Sequence, residues 1–105
     1  MVKYQLVLTT CANTEDANML AKAVLEKKLA ACVNVLPAVT SLYMWQGELM
    51  QEQEIKLFIK TRSCKASVLI DTLKHIHPYQ VPEIQILDIT DGNQDYFSWI
   101  DEVLA

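Results

Sequence analysis

Glycine and proline are scarce, with 2 Gly and 3 Pro in 105 residues. That excludes a collagen-like or low-complexity chain and leaves most of the backbone free to enter regular structure. Basic runs are also missing. The formal charge is −4, and the Lys and Arg residues form neither a block nor a stripe, so duplex nucleic acid is not an expected partner. No apolar run approaches the roughly 20 residues of a membrane span. The first residues, Met1 to Leu8, hold a short apolar run with no small-residue cleavage site, and they read as a strand rather than an export signal. Cys11, Cys32 and Cys64 are odd in number and far apart. They do not make a disulfide framework, and they predict reduced thiols in a cytoplasmic setting. No Ser-His-Asp order, HExxH or paired-carboxylate signature appears, so the chain does not read as an enzyme. What remains is 51% hydrophobic and 21% charged, enough for one globular domain over residues 1–105.

The periodicities give the order of elements. Residues 3–11 read as a first strand. Asn13 is an N-cap candidate, with Glu15 and Asp16 in the first turn and Lys27 and Lys28 in the last, which predicts a helix over 14–29. Its buried stripe is Ala17, Leu20, Ala21, Val24 and Leu25. Residues 32–45 and 48–62 read as two long strands joined at Gln46-Gly47, with Pro37 marking an edge or a bulge. Ser63 is expected to cap a second helix with the stripe Ala66, Leu69, Ile70 and Leu73. Pro78 biases His77 out of the helical region and ends that helix near His75 or Ile76. Residues 83–90 read as a fourth strand. Asp91-Gly92-Asn93 makes a turn and cap, and a last helix offers Tyr96, Trp99, Ile100, Val103 and Leu104 for packing. The order β-α-β-β-α-β plus a C-terminal helix is that of the ferredoxin-like α+β class. Its sheet order is 4-1-3-2, taken here with strands 1 and 3 parallel.

Two consequences follow. With strands 1 and 3 parallel, one rim of the sheet gathers Cys11, Cys32, Lys60, Thr61, Arg62, His77, Tyr79 and Glu83. The second and third strands are also too long for the rest of the sheet: about 14 residues at about 3.3 Å each give roughly 45 Å, against roughly 28 Å for the others. The overhang carries Leu42, Tyr43, Met44, Trp45, Leu49 and Met50. An apolar two-stranded ribbon is marginal by itself, which predicts an arm that packs on another subunit.

The segments Lys28-Leu29-Ala30-Ala31-Cys32-Val33-Asn34, Thr40-Ser41-Leu42-Tyr43-Met44-Trp45-Gln46-Gly47, Ile59-Lys60-Thr61-Arg62 and His77-Pro78-Tyr79-Gln80-Val81-Pro82-Glu83, with the closing Asp95-Tyr96-Phe97-Ser98-Trp99-Ile100, resemble the CutA divalent-cation-tolerance family over essentially the whole chain. The resemblance implies a very stable homotrimer of ferredoxin-like subunits, built like the PII signalling proteins, with a role in tolerance of copper and other divalent cations. In copper-binding members it implies a thiol near the end of the first strand and a His-His pair before Pro-Tyr. Here His77 matches the second His, Ile76 occupies the place of the first, and Thr9 stands where the thiol would be, with Cys11 two residues later.

Three readings of the chemistry stay open. Cys11 and His77, with Glu83 as an oxygen donor, would suit Cu(2+) better than a hard cation, and the start of the first helix would lower the thiol's pKa. Alternatively, Lys60, Tyr79 and Glu83, with Trp45, would line an intersubunit cleft for a small anionic or polar ligand. The third reading is a trimeric scaffold for a protein partner. No cofactor is required by any of them.

Overall fold

The computed structural model describes residues 2–105. Strands β1 (Tyr4–Cys11), β2 (Cys32–Trp45), β3 (Glu48–Arg62) and β4 (Ile84–Ile89) form one sheet in the order β2-β3-β1-β4. Helix α1 (Thr14–Glu26) follows β1, α2 (Ala66–Ile76) follows β3, and α3 (Gln94–Val103) closes the chain. The ferredoxin-like α+β order expected from sequence is therefore the observed one.

One expectation about the sheet is corrected. β1 and β3 are antiparallel, pairing Tyr4 with Arg62 at one end and Cys11 with Ile55 at the other. The hairpin turn reverses the chain between β2 and β3, so β3 ends where β1 begins. Lys60, Thr61 and Arg62 consequently lie at the opposite rim from Cys11, and Cys32 lies with them, paired to Lys60.

The strand faces follow from the register, since paired residues share a face. Val7, Cys11, Ile55, Leu57 and Ile59 form the core with Leu20 and Val24 of α1 and Leu69 and Leu73 of α2. Each large aliphatic side chain fully removed from water there contributes about 1.5–3 kcal/mol. The other face carries Leu6, Leu8 and Phe58, all half-buried, and Leu87, 45% exposed. Helix α3 covers it only at the end where β1 starts. There Phe97 stacks on Tyr4 with ring centroids 4.4 Å apart, beside Ala31, Ile100 and Leu104. Gly92 makes room, because a Cβ there would lie 2.8 Å from the Phe97 ring.

Local chemistry sets the boundaries. The Asn13 side chain accepts from the Asp16 N–H at 2.8 Å and caps α1. That helix ends at Glu26, three residues earlier than expected, because Lys28 turns left-handed at φ 55° and sends the Leu29 N–H back to the Val24 carbonyl. Leu25 is 38% exposed and leaves the expected stripe. Ser63 opens a short 3-10 turn, and α2 starts at Ala66. His77 is extended with ψ 132°, as the residue before Pro78 must be. In α3 the expected packing residues Tyr96 and Trp99 are 39% and 42% exposed, and Phe97 takes the buried position.

The hairpin is as long as predicted. β2 pairs with β3 from Cys32–Lys60 out to Trp45–Glu48, and Gln46 and Gly47 both adopt positive φ, 49° and 81°. That is the two-residue turn whose twist suits a hairpin. At Pro37-Ala38 the register slips between Leu36 and Val39, where Ala38 has φ 59°. The bulge bends the outer hairpin. The molecule's longest dimension is 45 Å, which the hairpin sets.

Candidate functional site

The loop from His77 to Glu83 joins α2 to β4 and lies against the end of β1. His77 is buried, at 7% exposure. Its Nδ1 accepts the Tyr79 backbone N–H at 3.0 Å, so that nitrogen carries no proton. Its Nε2 lies 2.8 Å from the Thr10 carbonyl and therefore donates to it. Both ring nitrogens are thus engaged by backbone, and the imidazole pins the loop to β1. Two hydroxyls finish the attachment: Thr9 Oγ1 donates to the Glu83 carbonyl at 2.7 Å, and Thr10 Oγ1 to Glu83 Oε1 at 2.9 Å.

Glu83 also pairs with Lys56 Nζ at 2.9 Å. The hydrogen bond from Lys56, aided by Thr10, holds its carboxyl below the usual glutamate range against the opposing effect of burial. Tyr79 reaches across to the hairpin and donates to Glu54 Oε2 at 2.6 Å. Burial, and then the Glu54 carboxylate, push its phenol pKa strongly upward, so it stays a donor. Between loop and hairpin lies a cleft of about 890 Å³, with Trp45, Tyr43, Glu52 and Glu54 on one side and Tyr79 and Glu83 on the other. That volume is in the range of small-molecule sites.

The candidate residues therefore separate. Tyr79, Glu83 and Trp45 line one cleft, as expected. Lys60 does not: its Nζ lies 3.6 Å from Cys32 Sγ at the far rim. Lys56 takes its place beside Glu83, because Thr10 pairs with Lys56 across the antiparallel register. Glu54 was missed as the Tyr79 partner. The signal for it was the same register, which puts Glu54 one step along the β3 face from Lys56 toward the hairpin tip.

Cys11 is fully buried and donates to the Asn13 carbonyl at 3.6 Å. Burial pushes its thiol pKa up, so the expected lowering by the helix start is outweighed. His77 would have to give up one of its two backbone bonds to ligate a metal. Among the described residues, no group of three or more His, Cys, Asp or Glu is arranged to hold a metal ion.

Residues 5–103 match the model of the CutA1 divalent ion tolerance protein family. The chain belongs to the CutA1 family. It is 45% identical over 98 residues to a divalent-cation tolerance protein CutA of Thermus thermophilus, covering 93% of this chain and 95% of that one. Among solved structures, CutA1 of Ehrlichia chaffeensis superposes with a TM-score of 0.95 at 31% identity, covering 100% of this chain and 98% of the other. A periplasmic divalent cation tolerance protein CutA of Archaeoglobus fulgidus gives 0.93 at 36% identity, covering 97% and 99%. In this CutA1 chain the place of the strand thiol implied for copper-binding relatives is filled by Thr9, whose hydroxyl is already spent on the loop. No helix among the described residues is long and apolar enough to cross a membrane.

Proposed function

We propose that the chain serves divalent-cation tolerance without catalysis, as a homotrimer whose clefts bind a small ligand. The observation that carries the trimer is the surface left uncovered in one copy. The sheet face with Leu6, Leu8, Phe58 and Leu87 has a helix only at one end. The hairpin beyond β1 exposes Leu42 at 62%, Met44 at 64%, Trp45 at 54% and Leu49 at 71%. A soluble chain hides so large an apolar area against another copy of itself. Light scattering is expected to give three times the 11.9 kDa chain mass at micromolar concentration. A monomer mass would end the reading.

The cleft supports the ligand half of the proposal, because its walls are held in place by hydrogen bonds before any ligand arrives. Copper at Cys11 and His77 is the second reading. What favours it is that the loop places His77 on the carbonyl of Thr10, next to Cys11 in sequence. It would be a weak site that forms by releasing His77 from the loop. Cys11→Ser and His77→Ala should then each reduce copper uptake in calorimetry, while Cys64→Ser should not. Tight copper binding that survives both substitutions would exclude it. The three cysteines are free of disulfides, which supports a reducing, cytoplasmic setting. Titration of the denatured, unreduced protein should find three thiols.

A further inference from the structure

We propose that Asp91-Gly92 is a modification site, where the chain converts its own backbone to an isoaspartyl linkage and so loosens α3. Of the six aspartates, Asp91 alone precedes a glycine. It also lies outside every helix and strand, whereas Asp16, Asp71, Asp95 and Asp101 are helical and Asp88 is in β4. The Gly92 N–H donates to Asp91 Oδ1 at 2.8 Å, so the carboxyl is folded over the nitrogen that would attack it. The glycine is imposed by the packing of α3, because a Cβ at position 92 would lie 2.8 Å from the Phe97 ring. The same missing side chain leaves the Gly92 nitrogen unshielded. The reactive dipeptide is thus a by-product of how α3 is seated. It sits beyond Ile89, which pairs with Tyr4, at the rim opposite the hairpin overhang.

The chemistry needs only water. The Gly92 nitrogen bonds to Asp91 Cγ. The protonated carboxyl gives up its OH, which leaves as water with the amide proton, and a succinimide ring closes. Water then opens the ring. Attack at the side-chain carbonyl restores aspartate. Attack at the main-chain carbonyl leaves the chain running through Cβ and Cγ, with the former main-chain carbonyl as a free carboxylate. Mass and net charge are unchanged, and the backbone gains one methylene. The reaction is internal to two adjacent residues, so it asks for no ligand-sized opening in the assembled protein. Its consequence falls on α3. The Asn93 side chain caps that helix by accepting the Asp95 N–H at 3.0 Å, and its carbonyl accepts the Phe97 N–H at 3.1 Å. With Gly92 already against the Phe97 ring, a longer chain must break the cap or move Phe97 off Tyr4.

The test ages the full chain, as it assembles, in warm neutral buffer for weeks. Trypsin then releases His75 to Ala105 as one peptide, since no Lys or Arg follows Lys74. An isoaspartyl form has the same mass, elutes separately and is located by electron-transfer fragmentation. Isoaspartate is expected at Asp91 at least about tenfold faster than at any other aspartate, because the two reacting groups are already oriented. Asp91→Glu should abolish it, since ring closure would then need a larger and slower ring. The chain unfolded in urea should isomerise at Asp91 no faster than the folded protein. Hydrogen exchange on the aged protein should show lost protection across α3 and none lost in the 77–83 loop. Isomerisation of the unfolded chain with none in the folded protein would show that the fold shields the dipeptide, and would overturn the proposal. So would isoaspartate spread evenly over all six aspartates. Isoaspartate at Asp91 with α3 as protected as in fresh protein would overturn the loosening of the helix.

Discussion

At the end of β1, the 77–83 loop is held by side-chain hydrogen bonds: His77 to two backbone groups, Thr9 and Thr10 to Glu83, and Tyr79 to Glu54. At the start of β1, α3 is held by packing. Phe97 stacks on Tyr4, Ile100 and Leu104 are buried beside them, and Asp101 accepts from the Tyr4 hydroxyl at 2.8 Å and from Lys3 Nζ at 3.2 Å. The two rims of one sheet thus differ in emphasis: buried rings and aliphatic side chains join the Asp101 bonds at one, and side-chain hydrogen bonds to the loop predominate at the other. Packing suits a fixed closure. Directional bonds set the loop's position without filling the space in front of it.

The largest expected effect tests the packed rim. Phe97→Ala should destabilise the protein by about 3–5 kcal/mol, the usual range for removing a buried aromatic ring. Urea unfolding with the slope held constant would measure it. A loss below about 1 kcal/mol would mean that α3 contributes little and that the comparison fails at this end.

The packed rim was only partly legible in the sequence. A helix after the Asn93 cap was readable, but its buried side was not. Tyr96, Phe97 and Trp99 are all apolar enough to serve, and only the contact with Tyr4 selects Phe97. The bonded rim was legible in its parts: the Pro78 stop, the extended His77 and the Tyr79–Glu83 proximity were all readable. Its partners were misread because strand direction was. A crossover between β1 and β2 followed by a tight hairpin leaves β3 opposed to β1. Reading the two as parallel put Lys60 where Lys56 belongs. The hairpin overhang was fully legible because it needs only strand lengths and a Gln-Gly turn.

The next effect tests the bonded rim. His77→Ala removes two hydrogen bonds, each worth about 0.5–1.5 kcal/mol, and leaves the buried Thr10 carbonyl without its donor. A loss of about 2 kcal/mol is expected. The distinguishing readout is hydrogen exchange. Protection should fall at Tyr79 and in the loop, while α3 keeps its own. Loss of protection spread equally over both rims would show that His77 acts as ordinary core and that the division is not real.

The smallest effect concerns acid. Glu83 has a folded pKa below its ordinary value of 4.5. At neutral pH it is ionised in both states, and its pairing is fully present. As pH falls below the unfolded value, the unfolded chain takes up the proton first, so that contribution declines and is gone once pH passes the folded value. Asp101 behaves likewise at the packed rim, lowered from 3.8 first by the Tyr4 hydroxyl. Both rims therefore weaken in acid, but for separable reasons. Lys56→Met should move the Glu83 carboxyl upward in an NMR titration by more than Thr10→Val does, since Lys56 is its strongest partner, and neither should move Asp101. The Glu83 side chain is 42% exposed, so solvent screens the pair and the change in overall stability should be small. A Glu83 titration unmoved by Lys56→Met would mean that the ion pair does not persist in solution, leaving the loop held by His77, Thr9, Thr10 and Tyr79 alone.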